Sequence, residues 1–223
     1  MRKLASILFC LIEDVIRHVS GPIGVRLRRF YYTRRFKKCG SNLSIAPGVS
    51  IDRPDCVSAG DWVLIDRNCV ILAGPASEAG AIKEIANPEC TAQPGEVIIG
   101  DRAHISIGCV IQGHGGVSIG DAFAASTGSL IYSLSNSLYT TKLGPVAAAG
   151  SPLARVRTPV AIGNNVWLGL HSVVIGNTIG DDCFIKPMSV VVSNIPANSI
   201  AGGNPAQREK ERYRDATPPQ VVP

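Results

Sequence analysis

Aromatic side chains are scarce in this chain: Phe, Trp and Tyr make up 5% of its 223 residues, so its core must be aliphatic. Long apolar runs are missing as well. Near the start, Leu4, Ile7, Leu8, Leu11, Ile12, Val15, Ile16 and Val19 recur at helical spacing, but Glu13 and Asp14 interrupt them and no AxA-like cleavage site follows. A bilayer-spanning helix and a secretory leader are therefore not expected, and the spacing predicts an amphipathic helix ending at Gly21-Pro22. No CxxC pair occurs among the seven cysteines, an odd number, which argues against a structural zinc site or a disulfide framework and for a reducing cytoplasm. No metal site is expected. The charge excess of +5 is local, because Arg26, Arg28, Arg29, Arg34, Arg35, Lys37 and Lys38 crowd together. This is a basic collar on an otherwise balanced chain, and no nucleic-acid partner is expected.

What the chain has instead is a repeat. Small or aliphatic anchors recur every six residues at Ile99, Ile105 and Ile111, then at Ile119, Ala125 and Ile131 after one step of eight. Six is a multiple of two and not of 3.6, which is strand periodicity with a corner in each unit. Upstream the anchors are Ile45, Ile51, Ala59, Ile65 and Ile71; downstream they are Ile162, Leu168, Val174, Ile179, Ile185 and Val191. Four residues after most anchors comes a small or β-branched side chain: Val49, Val63, Cys69, Ala103, Cys109, Ser129, Ser135, Val166, Ser172, Thr178, Cys183 or Ser189. Glycine often follows the anchor, as at Gly100 and Gly120, a position read as a sharp bend in the strand. The pattern predicts a parallel β-helix of hexapeptide rungs, three to a coil, in preference to a sandwich of short strands.

Grouped in threes, the anchors show irregular spacing only after the third rung of a coil. One edge of the prism therefore carries every extra loop, and repeat scaffolds place binding loops on such a face. The expected organisation is a terminal helix and collar over residues 1–40, a β-helix over 41–200 with loops at 73–97 and 137–159, and a tail over 201–223 containing a short charged helix. The terminal helix is read chiefly as a cover for the open end of the β-helix, whose strand edges would otherwise be unpaired, and alternatively as a peripheral contact with an anionic membrane surface.

The segments IGNNVWLG (162–169), IYSLS (131–135), GCVIQGHGG (108–116), IPANSIAGGNPA (195–206) and GPIGVRLRRFYY (21–32) resemble those of the hexapeptide-repeat acyltransferases. The resemblance is to their sugar O-acetyltransferase group, which includes maltose, galactoside and surface-polysaccharide acetyltransferases. It implies a left-handed parallel β-helix, a homotrimer with active sites between subunits, and acetyl-CoA as acyl donor. The acceptor would be a hydroxyl of a sugar or nucleotide sugar in surface-polysaccharide biosynthesis, in the cytoplasm or at the inner face of the membrane. The family base follows the segment matching IYSLS, where this chain has Asn136-Ser137 and no histidine. The resemblance places acetyl-CoA near Gly169 and the turn containing Gly203 and Asn204, with Lys186 and Arg208 toward its phosphates.

Acyl transfer to a hydroxyl needs a general base near neutral pKa, and histidine is the usual one. Of the four histidines, His18 belongs to the terminal helix, and His104 and His171 take outward offsets beside their anchors. His114 follows the third rung of its coil, and Asn136 follows the third rung of the next, at the loop-bearing edge. Adjacent strands lie about 4.8 Å apart, so His114 is the candidate base beside the position Asn136 holds. Ser137, Arg155 and Arg157 in the second loop are candidates for the acceptor, the arginines being suited to an anionic group. Two alternatives stay open: a trimer that has lost catalysis and serves as a binding scaffold, and an N-acetyltransferase acting on an amino sugar.

Overall fold

The six-residue rungs wind into three parallel sheets, one on each side of a prism, in a computed structural model that describes residues 11–75, 82–136 and 155–213. The first face stacks Lys38–Cys39, Val57–Ala59, Val97–Ile99, Val117–Ile119, Val160–Ile162 and Thr178–Ile179. The second runs Ser44–Ile45, Leu64–Ile65, His104–Ile105, Ala124–Ala125, Trp167–Leu168, Phe184–Ile185 and Ser199–Gly203. The third runs Ser50–Asp52, Val70–Leu72, Val110–Gln112, Leu130–Tyr132, Val173–Ile175 and Val190–Val191.

Each predicted column of anchors is a ladder in register. On the third face Ile51, Ile71, Ile111, Ile131, Val174 and Val191 stack directly on one another. All six are buried, as are their counterparts on the other faces. A fully buried aliphatic side chain contributes about 1.5–3 kcal/mol, and this repeated burial holds the coils together. The small partners fill the corners: Val49, Val63, Cys69, Ala103, Cys109, Ser129, Val166, Ser172, Cys183 and Ser189 are all buried. Two members of that predicted set differ. Ser135 is exposed because the chain has already left the prism, and Thr178 is partly exposed because the corner before it is one residue short.

Cys109 tests this register. Its thiol points at the Ser126 carbonyl, 3.2 Å away, and the residue is buried. Cys109→Ser is expected to move the thermal midpoint by a few degrees, whereas Cys109→Phe should overpack the corner and lower stability by about 1–3 kcal/mol or more. Equal midpoints for the two variants would show that the residue does not face the interior.

The glycine after the anchor has a different cause from the one its position suggested. Gly60, Gly100, Gly120 and Gly163 do not have left-handed backbone. The Asp61 backbone N–H donates to Asp101 Oδ1, Asp101 N–H to Asp121 Oδ1, Asp121 N–H to Asn164 Oδ1 and Asn164 N–H to Asp181 Oδ1. A Cβ on Gly100 would lie 2.4 Å from Asp121 Oδ1, so glycine makes room for the side chain of the next coil's ladder. Left-handed residues do occur one step further on, at Asn42, Trp62, Arg102, Ala122, Asn165, Asp182 and Asn198, where the first face turns into the second.

Helices cover the start of the prism. A helix over residues 11–18 (α1) leads into a second, Gly21–Arg35 (α2), and the crossing is so close that a Cβ on Gly24 would fall 1.8 Å from the Val19 carbonyl oxygen. Tyr32 and Phe36 join the core under the first coil. Arg28 is fully buried; its Nε donates to the Ile45 carbonyl (2.8 Å) and Nη1 to those of Ile16 and Val19 (both 2.7 Å). The expected terminal helix stops before Gly21, and the contacts with the first coil come chiefly from α2, a second helix in the stretch read from the sequence only as a basic collar.

The far end corrects the expected C-terminal helix. Ala206–Glu211 is a strand, antiparallel to Ser199–Gly203 after the turn at Asn204-Pro205. Sheet pairing overrides helix propensity here, and the exposed charges Arg208, Glu209, Lys210 and Glu211 guard an edge strand against further pairing.

The insertions also differ from the plain loops expected at 73–97 and 137–159. Leu134–Asn136 pairs antiparallel with Arg155–Arg157, which pairs in parallel with Ile82–Glu84. The two insertions thus form one three-stranded ribbon, and Val97 already belongs to the third coil. The first insertion then drapes over the first face: Thr91 N–H donates to Ser118 Oγ (3.3 Å) and Asn87 Nδ2 to the Pro159 carbonyl (3.0 Å). This cover buries Ser118 and Ala161, which point away from the prism interior.

Candidate active site at the loop-bearing edge

His114 stands at the corner where the third face of the third coil turns into the first face of the fourth. Three glycines surround it because backbone segments meet there. Gly113 N–H donates to the Leu72 carbonyl (2.8 Å), Gly95 N–H to the Gly113 carbonyl (3.1 Å) and Gly74 N–H to the Gly95 carbonyl (2.8 Å). A Cβ on Gly115 would lie 2.0 Å from the Ser133 carbonyl oxygen. This network delivers the Gly74 carbonyl to His114, 2.9 Å from Nδ1.

A carbonyl oxygen can only accept, so Nδ1 must carry the proton, and the neutral ring then has its lone pair on Nε2. Nε2 has no hydrogen bond among the described residues, and the ring is partly exposed. The arrangement fixes the ring and leaves Nε2 able to accept a proton. Sequence reasoning missed the group that orients it, because Gly74 lies forty residues upstream. Its only mark was a Gly-Pro step at the mouth of the first insertion.

The corner is tied to the next coil by hydrogen bonds. Gly115 N–H donates to Ser133 Oγ (2.8 Å), Ser133 Oγ donates to the Gln112 carbonyl (2.6 Å), and Leu134 N–H donates to Gln112 Oε1 (2.9 Å). Ser133 and Gln112 join the two coils at this corner, which the repeat did not reveal. The backbone of Asn136 continues this segment into the ribbon, opposite Arg155. The side chain of Asn136 and the whole of Ser137 lie outside the described residues.

Arg157 is drawn to the same corner. Its Cγ lies 3.0 Å from where a Gly115 Cβ would be, its guanidinium pairs with Glu84, and its Nε is buried without a hydrogen-bond partner. The next residue, Thr158, has a buried Oγ1 that is also unpartnered, and it opens onto a groove of 760 Å³ along the same edge. Pro88, Ile175, Ile195, the amides of Asn87, Asn177 and Asn194 and the carboxylate Glu89 line this groove, and no Lys or Arg does. Arg155 is half-buried in the ribbon and already engaged.

The residues assigned to acetyl-CoA lie elsewhere on the chain, on the second face and its far end. Gly169 permits close stacking, since a Cβ there would meet Ile185 O at 2.7 Å and Pro187 N at 2.5 Å. Lys186 Nζ lies 2.6 Å from Glu209 Oε2, and Arg208 pairs with Glu211 at 3.5 Å and donates to Ser199 Oγ. Gly203, with φ of 100°, donates its N–H to Ser189 Oγ and leads into Asn204. A single chain brings His114, Arg157 and the groove together; it does not bring these residues to them. His104 Nε2 is paired with Asp66 (2.9 Å) and His171 turns an exposed corner, so neither is a free base at this edge.

No family model matches the chain. It is 30% identical to dTDP-4-amino-4,6-dideoxy-D-glucose acyltransferase of Escherichia coli over 181 residues, covering 80% of this chain and 84% of the relative. It is 46% identical to galactoside O-acetyltransferase of Escherichia coli (strain K12) over 54 residues, 24% of this chain and about a quarter (27%) of that relative's length. Among solved structures it is similar to a variant of AntD, an N-acyltransferase from Bacillus cereus, in complex with dTDP and coenzyme A. The TM-score is 0.68 with 22% sequence identity, over 84% of this chain and 90% of that one. The shared architecture is the left-handed parallel β-helix.

Proposed function

From the premise that this chain belongs to the hexapeptide-repeat acyltransferase family, we propose that it transfers an acyl group from a CoA thioester to a sugar hydroxyl, with His114 as general base. The observation that carries this reading is the bond from His114 Nδ1–H to the Gly74 carbonyl, which leaves Nε2 available for a proton. A CoA thioester supplies the acyl group. His114 Nε2 accepts the hydroxyl proton as the oxygen bonds to the acyl carbon, and returns it to the departing thiolate, so that proton and charge balance. Arg157 Nε, buried and unpartnered beside Gly115, is the donor suited to the oxygen that gains charge. The groove beyond Thr158, lined by asparagine side chains and Glu89 with no Lys or Arg, suits a sugar that brings no negative charge there, and Thr158→Val is a probe of acceptor KM.

The donor's phosphates suit Lys186 and Arg208 beside the turn at Gly203 and Asn204. Both cations are in exposed ion pairs, which are worth about 0–1 kcal/mol, so a diphosphate can displace Glu209 and Glu211 at little cost. These residues and His114 meet only if a second copy supplies one set. The third face presents a partly exposed row of Val70, Val110, Leu130, Val173 and Val190, and the adjoining corner exposes Leu170 and Met188, the latter by 71%. A closed ring of three copies would cover this surface and complete the site. Sedimentation at micromolar concentration should give a species three times the 23.5 kDa chain mass; a monomer would remove the intersubunit site.

The acceptor class implied by the family resemblance is a sugar built into a surface polysaccharide. The relative matched over most of its length favours a second reading, an amine on a nucleotide-linked amino sugar. Following thiol release from acetyl-CoA with matched hydroxyl and amino sugars, free and nucleotide-linked, separates the two. Turnover only with the amino sugars would replace the hydroxyl reading, and no turnover with either would leave the scaffold alternative.

A further inference from the structure

We propose that the outer face of α2 rests on an anionic lipid bilayer, so that one helix covers the β-helix on its inner side and docks on a membrane with its outer side. The inner stripe, Gly24, Arg28 and Tyr32, is buried against α1 and the first coil. The opposite stripe is apolar and uncovered. Ile23, Leu27 and Phe30 follow one another at spacings of four and three, on one helical face, and are 68%, 42% and 61% exposed. Arg34 extends the line, its guanidinium 3.6 Å above the Phe30 ring. Leu11 and Val15 of α1 are likewise exposed.

Charge decides the occupant. The sequence of α2, GPIGVRLRRFYYTRR, contains no acidic residue, and Arg26, Arg29 and Arg34 are all exposed. The nearby acids of α1 are already engaged: Glu13 accepts the Tyr32 hydroxyl and faces Arg17, and Asp14 faces Arg17. Packing this helix on a second copy of itself would set arginines against arginines. An aliphatic stripe flanked by cations is instead what an interface of acyl chains and anionic headgroups accommodates, the side chains burying their apolar stems and extending charge to the headgroups. No described helix is long and apolar enough to cross a membrane, so the contact is peripheral.

The test is co-sedimentation of the full chain with vesicles of phosphatidylcholine alone or containing about one-third phosphatidylglycerol. Binding is expected to be at least about tenfold tighter to the anionic vesicles and to weaken with salt. An Ile23→Ser/Phe30→Ser double variant should bind about tenfold less, and Arg26→Gln/Arg34→Gln should lose the preference for anionic lipid. All these positions are exposed, so the thermal midpoint and the sedimenting mass should stay unchanged. The proposal is overturned if wild type ignores both vesicles or binds them equally, or if the serine variant binds like wild type. A smaller sedimenting mass for the serine variant would also overturn it, by showing that the stripe is a contact between copies.

Discussion

Replacing His114 by alanine is expected to lower kcat by about 10²- to 10⁴-fold with little change in acetyl-CoA affinity, the usual size of a lost general base. The split follows from the geometry, since the imidazole lies at the third-coil corner and the residues suited to the CoA phosphates lie at the far end of the second face. Asn136→His should then help little or even harm, because a second imidazole beside the first would compete for the same hydroxyl. If turnover depends on something else, wild type and His114→Ala will be equally active and the base is misassigned. If the chain has lost catalysis, both will be inert and Asn136→His becomes the informative variant.

The second large effect is structural. Arg28→Met should lower stability by about 3 kcal/mol or more, because one guanidinium serves three buried or half-buried carbonyl oxygens, those of Ile45, Ile16 and Val19. Methionine fills much of the volume and satisfies none of them. Arg28→Lys should fall between, since an ammonium is a point donor and lacks the fork that reaches both helix and coil. Chemical denaturation of the three proteins checks the order. A methionine variant as stable as wild type would mean that the carbonyls find water and that the helical cover is held by Tyr32 and Phe36 alone.

How far the sequence could be read depends on the kind of contact involved. Ile51, Ile71, Ile111, Ile131, Val174 and Val191 were visible as one column because each is forced inward by the same local geometry, and the spacing of neighbours along the chain records it. His114 was visible for the same reason, as the histidine at a third-rung corner. Gly74, Ser133 and Gln112 were not, because their roles come from hydrogen bonds between coils, which leave no period. The strands Ile82–Glu84 and Arg155–Arg157 are three residues long and pair across more than seventy positions, so neither insertion carries a pattern long enough to show. The tail misled in the opposite way. Its run of alternating charge suits a helix on propensity, and only pairing with Ser199–Gly203 makes it a strand. Gly100 and Gly120 were noticed, but the ladder of Asp and Asn side chains that requires them runs perpendicular to the chain.

The ribbon formed by the two insertions has a consequence for how the coils come apart. In a simple stack each coil touches only its neighbours, so opening can begin anywhere and spread one unit at a time. Here Ile82–Glu84 leaves the second coil and joins Arg157, which sits just before the fifth, fastening units that are not adjacent. The third coil cannot detach from either neighbour without straining that clasp. Amides of Val110, Ile111 and Gln112 should therefore share one slow, concerted hydrogen-exchange rate with those of Leu130 and Ile131, while the terminal coil around Val190 exchanges faster and independently. The corner that holds His114 lies inside the fastened block, so the imidazole is held by a unit that opens as a whole.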